Sequence, residues 1–194
     1  EAEADLLRAA LVLAADHELN ASTFAVRVAA STGATPHQAV QAGLATLSGP
    51  RHGGLAERAA ALMAQLAAAD DPVRAAADLV ARGDPSPGFG LPLYPAGDPR
   101  GRDLVGRIGA ALGRRDRVAR ALSGLRAVEA ATGEQATIDT GLGLLVLGLG
   151  LPPGSALGLF ALARTAGWIG HYMEQRSAGG LIRPRARYVG LHPG

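Results

Sequence analysis

The stretch QATIDTGLGLLVLGLG, residues 135–150, is apolar almost all round, and its reading decides the fold class. Neither it nor the rest of the chain shows period-2 alternation. Alanine and leucine dominate while β-branched and aromatic residues are scarce. Helices should therefore account for most of the chain, and the fold class is all-α. A helix apolar on every face belongs at the centre of a fold or in a bilayer. The run 142–151 stops at Pro152-Pro153 and falls well short of the ~20 residues a bilayer crossing needs, so it is no membrane span. Glycines at 141, 143, 148 and 150 suit a helix packed closely on its neighbours. Segment 155–173 reads in the same way, as a second central helix.

Working outward, helix boundaries are well marked. Thr35-Pro36 and Asp71-Pro72 each read as a cap followed by a first-turn proline, and Gly33, Gly83 and Gly133 sit where helices would end. Apolar positions in 55–66 and 118–128 recur at three- and four-residue spacing, the pattern of surface helices laid on a common core. These signals predict about eight helices. With 194 residues and 48% hydrophobic composition, the chain can bury a core for one domain or one and a half. All 19 basic residues are arginine, the net charge is only +2, and no basic stripe is concentrated enough for nucleic acid. Cysteine is absent, which removes disulfides and thiolate metal sites and is consistent with a cytoplasmic protein. The chain opens on Glu1 without a methionine or a signal-type region, so it is expected to begin partway through a longer protein.

Four places put ionisable groups beside glycine or among apolar residues. In ADHELNAST (15–23) the run Asp16, His17, Glu18 followed by Asn20 could be a ligand site or simply a helix cap. In GPRHGG (49–54) His52 sits in a glycine turn just ahead of a helix, where its ring and nearby N–H groups could meet a ligand. Asp139 stands alone among apolar neighbours; a carboxylate buried there would have a raised pKa suited to removing a weakly acidic proton, although a satisfied structural aspartate reads equally from the residues. Arg100, Arg164 and Arg183 could converge on a di- or tricarboxylate. His37 and His171 read as structural. No zinc spacing, nucleotide P-loop, dinucleotide glycine fingerprint or GxSxG is present.

Taken in order, ADHELNAST, GPRHGG, PGFG followed by DPR (87–100), TID (137–139), ARTAGWIGHYMEQ (163–175) and IRPRARYVG (182–190) resemble the citrate synthase family. The likeness spans nearly the whole chain but corresponds only to the C-terminal half or so of a family member. It implies an all-α homodimer in which a large domain (1–52 and 144–194) and a smaller mobile domain (53–143), hinged near His52 and Asp139, close over an oxo acid and an acyl-CoA. No cofactor would be bound permanently, with acetyl-CoA as cosubstrate. By this resemblance Asp139 matches the base that takes a methyl proton from acetyl-CoA, and His52 the histidine that hydrogen-bonds the thioester carbonyl. His17, Asn20, Arg100 and Arg164 match the oxaloacetate side of the site, Arg183 an arginine reached across the dimer, and Pro87, Gly88, Phe89 and Gly90 the loop that receives the CoA adenine.

Three positions depart from the family pattern. Leu91 stands where a histidine hydrogen-bonds the ketone oxygen and supplies its proton, a loss that commonly costs ~10² to 10⁴ in rate. Ala14 replaces a histidine, and Pro95 replaces a basic residue that helps bind CoA phosphates. The expected activity is therefore condensation of acetyl-CoA or another acyl-CoA with oxaloacetate or a related oxo acid, slowed by Leu91. The alternative is a weak or inactive paralogue that binds CoA or a carboxylate as a sensor.

Overall fold

In the computed structural model, which describes residues 1–190, nine α-helices follow one another and no strand forms among those residues. That is one helix more than the sequence signals suggest. The helices are α1 (Ala2–Ala14), α2 (Ala21–Ser31), α3 (Pro36–Leu47), α4 (Gly54–Ala68), α5 (Pro72–Ala81), α6 (Pro99–Leu112), α7 (Asp116–Thr132), α8 (Ile138–Leu149) and α9 (Ser155–Ala178).

The starts follow local chemistry. Thr35 caps α3 in a reciprocal box with Gln38, Asp71 accepts the N–H groups of Val73 and Arg74, and Asp98 accepts that of Arg100, each one residue ahead of a first-turn proline. Asn20 caps α2 through Thr23. Gly133 and Gly150 end α7 and α8 in the left-handed region.

Helix α8 is central, as its all-round apolarity requires. It packs on α1, α4, α6, α7 and α9, with Leu142, Leu144 and Leu145 fully buried. A Cβ at Gly143 would stand 2.7 Å from the Ala60 Cα, so α4 and α8 meet backbone to backbone. On one side α2, α3 and α9 gather around the buried Trp168. On the other, α4, α6 and α7 pack on α8, and α5 packs on α7 and α4.

Helix α9 differs from its expected all-round burial. Phe160, Ala163, Arg164 and Trp168 face inward, whereas Leu162, Ile169 and Met173 are 64%, 44% and 62% exposed. No part of the described chain covers that face.

The segment between α5 and α6 carries the Pro87, Gly88, Phe89, Gly90 turn and is pinned to the start of α8. Gly90 N–H donates to the Gln135 carbonyl (3.0 Å) and Thr137 N–H to that of Gly88 (2.8 Å), with an isolated antiparallel bridge from Phe89 to Ala136. Gly88 has φ +86°, and a Cβ there would overlap the Thr140 hydroxyl, so only glycine fits this approach.

Candidate active site

Helix α9 fixes the loop that carries His17. Buried Arg164 donates from Nε to the Ala14 carbonyl at 2.9 Å. Arg27 Nε donates to His171 Nδ1 at 3.0 Å, which leaves the proton on Nε2 to bond Asp16 Oδ1 at 3.0 Å. The Arg27 guanidinium also pairs with Glu174. A Cβ at Gly167 would overlap the Ala15 carbonyl, so loop and helix touch directly. Glu18 takes φ +54°, alone among the described non-glycine residues, and such strain is held only where the surroundings over-determine it. His171 is thus a structural residue, as its sequence setting suggests.

The turn before α4 presents His52, whose Nε2 lies 2.8 Å from the Ser22 hydroxyl. Ser22 is fully buried, accepts the Trp168 Nε1–H at 3.3 Å and lies 2.8 Å from Asn20 Oδ1. Its one proton has two acceptors. When it goes to His52 Nε2, Nδ1 must carry the ring N–H and can donate outward. The His52 ring meets Phe160 edge-on at 6.2 Å, and the Arg164 guanidinium lies 4.9 Å from the centre of the same Phe160 ring.

The third group comes from the start of α6 and α8. Asp98 binds Arg100 through both oxygens and also accepts the Ile138 N–H at 3.0 Å. Burial pushes the Asp98 carboxyl up, but Arg100 and the Ile138 N–H outweigh it and hold it below the usual range. Tyr94 joins this group to the first: its ring stacks on His17 at 5.6 Å and lies 5.6 Å from the Arg100 guanidinium. Asp139, in the first turn of α8, keeps one oxygen 3.3 Å from the Thr137 hydroxyl.

Polar atoms left without a protein partner mark where these groups converge. Besides Thr23 Oγ1 on α2, the buried and unbonded atoms are His17 Nε2, Arg100 Nη1, Asp139 Oδ1 and both terminal nitrogens of Arg164, whose residue is only 1% exposed. Burying such groups unpaired is costly, and their company in one place is the arrangement of a polar ligand site. The electrostatics agree. Burial raises the Asp139 pKa to about 6, against the opposing pull of Thr137 and Arg100. Burial, helped by the Arg100 charge, lowers Arg164 to about 10, so it stays cationic at neutral pH. Burial and the neighbouring guanidinium charges hold His17 and His52 below the ordinary histidine value, which keeps both rings neutral. The arrangement offers a carboxylate base of moderate strength, neutral imidazoles and fixed guanidinium donors.

The cluster lies outside both the 650 Å³ cleft between α6 and α7 and the 410 Å³ cleft between α4 and α8. A 300 Å³ cleft lined by Gly90, Leu91, Tyr94, Pro95 and Gln135 opens beside it, with Tyr94 common to both. Among the described residues no group of three metal-ligating side chains forms, and no helix is long and apolar enough to cross a membrane.

The family model described as the C-terminal domain of citrate synthase matches residues 1–185. The chain belongs to the citrate synthase family. It is 35% identical over 195 residues to citrate synthase of Haloferax volcanii, covering 98% of this chain and 51% of that one. It is also 35% identical over 186 residues to 2-methylcitrate synthase 2 of Corynebacterium glutamicum, covering 93% and 48%. Among solved structures, citrate synthase of Thermoplasma acidophilum in ternary complex with carboxymethyl coenzyme A and oxaloacetate superposes with a TM-score of 0.85 at 32% identity, over 100% of this chain and 54% of that one. The chain therefore spans about half the length of the curated citrate synthase relatives it matches.

Of the residues that the sequence picks out by citrate synthase resemblance, His17, His52, Arg100, Asp139 and Arg164 come together. Asn20 lies beside them, but its side chain is engaged as a cap: Oδ1 accepts the Thr23 N–H and Nδ2 donates to the His17 carbonyl at 3.1 Å. Its contact with the site runs through the backbone of His17. Arg183 lies exposed in the segment after α9, apart from the cluster. Sequence reasoning missed Ser22, Tyr94 and Asp98. Asp98 could have been found, since Asp-Pro opening a helix is the same cap signal read at Asp71. Nothing local marked Ser22 or Tyr94, whose partners come from distant helices.

Proposed function

We propose that the protein condenses acetyl-CoA or another acyl-CoA with oxaloacetate or a related oxo acid, giving a citrate-type product and free CoA. The observation that carries this reading is the convergence of unpartnered Asp139 Oδ1 with the free donors of Arg100, Arg164 and His17. Asp139 takes a proton from the carbon next to the thioester carbonyl, while the neutral ring of His52, its Nε2 held by Ser22, donates from Nδ1 to the oxygen that becomes enolic. The guanidinium groups and His17 hold the carboxylates of the oxo acid. A carbon–carbon bond forms to its ketone carbon, the ketone oxygen takes up a proton, and water then cleaves the C–S bond to release CoA. Leu91 offers no proton for that oxygen, so we expect slow turnover.

With acyl-CoA as cosubstrate we also propose a cytoplasmic setting, a small domain (53–143) that closes on a large one (1–52 and 144–194), and a homodimer. The exposed Leu162, Ile169 and Met173 face of α9 supports the dimer, which would bring Arg183 to the partner's site. Leu91 favours a second reading, a paralogue that binds CoA or a carboxylate without turnover. Following CoA release with acetyl-CoA and propionyl-CoA, each with oxaloacetate, separates the two. Release that D139A abolishes upholds condensation. Calorimetric binding with no release above background upholds the second reading.

A further inference from the structure

If the adenine of an acyl-CoA rests on the backbone of residues 87–90, its phosphates need cations close by, yet the 300 Å³ cleft there contains none. Its ionisable lining is Tyr94 and Glu134, and Pro95 occupies the position of the family's basic residue. A cation outside the proposed oxo-acid site comes from the next helix. Arg102 on α6 donates from Nη2 to the Ala96 carbonyl at 3.3 Å, which puts its guanidinium beside residues 95–97. Arg102 also lines the 650 Å³ groove between α6 and α7, and that groove and the smaller cleft share Gln135 as their common wall.

The groove itself has an apolar floor that includes Leu122 and Leu125 and a cationic rim of Arg102, Arg126 and Arg114. No hydrogen bond or ion pair engages Arg114 or Arg126 among the described residues. Among the residues lining this groove Glu129 is the one carboxylate against three guanidinium groups, so the rim keeps a positive excess. Arg102 near the start of α6 and Arg126 near the end of α7 line the groove together with Gln135. Arg114 lies in the turn after α6, which rises ~15 Å from Arg102 to its last residue, Leu112.

We infer that the phosphate groups of the acyl-CoA pass over Gln135 into the α6–α7 groove, where Arg102 and Arg126 bind them in place of the base missing at position 95. The inference rests on the acyl-CoA reading above. Guanidinium groups suit phosphate oxygens by charge and by two-point geometry, and cations with no carboxylate partner are free to do so.

Calorimetric titration of the full chain with CoA and with 3′-dephospho-CoA tests it, in the wild type and in R102A, R126A, R102A/R126A and R114A. All three side chains are exposed, so the variants should fold. R102A and R126A should each weaken CoA binding about tenfold, and R114A should leave it unchanged. The double variant should bind CoA and its dephospho form with more nearly equal affinity than the wild type does. Undiminished CoA binding by the double variant, or an equal loss in R114A, overturns the inference and leaves the acyl-CoA reading intact. A wild-type chain that binds neither compound removes that reading, and this inference with it.

Discussion

Asp98 grips Arg100 with both carboxylate oxygens, at 2.9 Å to Nε and 2.9 Å to Nη2, and the same carboxylate holds the first N–H of the helix that carries Asp139. One buried anion thus holds both the Arg100 guanidinium and the backbone next to Asp139. It also leaves Arg100 Nη1 unbonded toward the site. Removing one member of a buried pair strands the other charge, so D98A should destabilise the fold by about 3–5 kcal/mol. The urea midpoint measures this. Oxo-acid affinity should fall alongside it, since Arg100 would lose its orientation.

Asp139 should set the acid limb of the pH–rate profile. Its pKa of about 6 lies above the ordinary 3.8, so the base form grows as pH rises through 6, and activity should climb over the same range. The stability effect has the opposite sign. The folded state holds the proton more tightly than the unfolded chain does, so stability is greatest below about 3.8 and declines as pH rises to about 6. D139N should abolish turnover yet raise stability at pH 7 by about 1–3 kcal/mol. Thermal melts of both proteins at pH 5 and pH 7.5 check this: the gain should appear mainly at the higher pH.

L91H should raise turnover. Position 91 lines the cleft that opens beside Tyr94, within reach of the oxo-acid side of the proposed site. Supplying a proton donor there should increase kcat by about 10- to 100-fold, at or below the bottom of the ~10² to 10⁴ that general acids contribute, because the surroundings of position 91 are not shaped for a histidine. KM for the acyl-CoA should change little. A kcat for CoA release that stays at the wild-type level would mean that Leu91 is not what limits the reaction.

S22A should act through His52. Ser22 Oγ anchors His52 Nε2 and receives the Trp168 N–H, so the alanine variant leaves a buried indole donor unpaired at a cost of about 1–3 kcal/mol. Ser22 can donate to His52 Nε2 or accept from it, so its loss should shift the balance between the two His52 tautomers. The expected result is a drop in kcat with KM nearly unchanged, and an altered chemical shift pattern for the His52 ring nitrogens. A purely structural serine would lower stability and leave the tautomer alone.

The helical class and most helix starts were legible because they depend on short-range chemistry: Thr35-Pro36, Asp71-Pro72 and the apolar 138–149 core each carry their own signal. Site residues Asp139 and His52 stood out as ionisable groups in apolar or glycine-rich settings. What local sequence could not carry was partnership across distance. Ser22 meets His52 and Trp168, which lie 30 and 146 positions away, and nothing in the NAST stretch encodes that. The misreading of α9 has a similar cause. Leu162, Ile169 and Met173 look like core residues by type, and only the packing shows that their face is left open.

That open face gives the last test. Leu162, Ile169 and Met173 follow one another at helical spacing on one side of α9, and a charge placed among them should prevent burial against a second copy. The wild type should sediment as a dimer and I169E/M173E as a monomer, with the melting of the monomer itself little changed because both positions are exposed. If Arg183 serves the partner's site, a second measurement isolates that role. D139A and R183A chains should each be inactive alone. Random mixing gives half of the dimers one intact site, so the mixture should recover about a quarter of wild-type activity. A mixture as inactive as its two components, with dimers present, would place Arg183 outside the shared site.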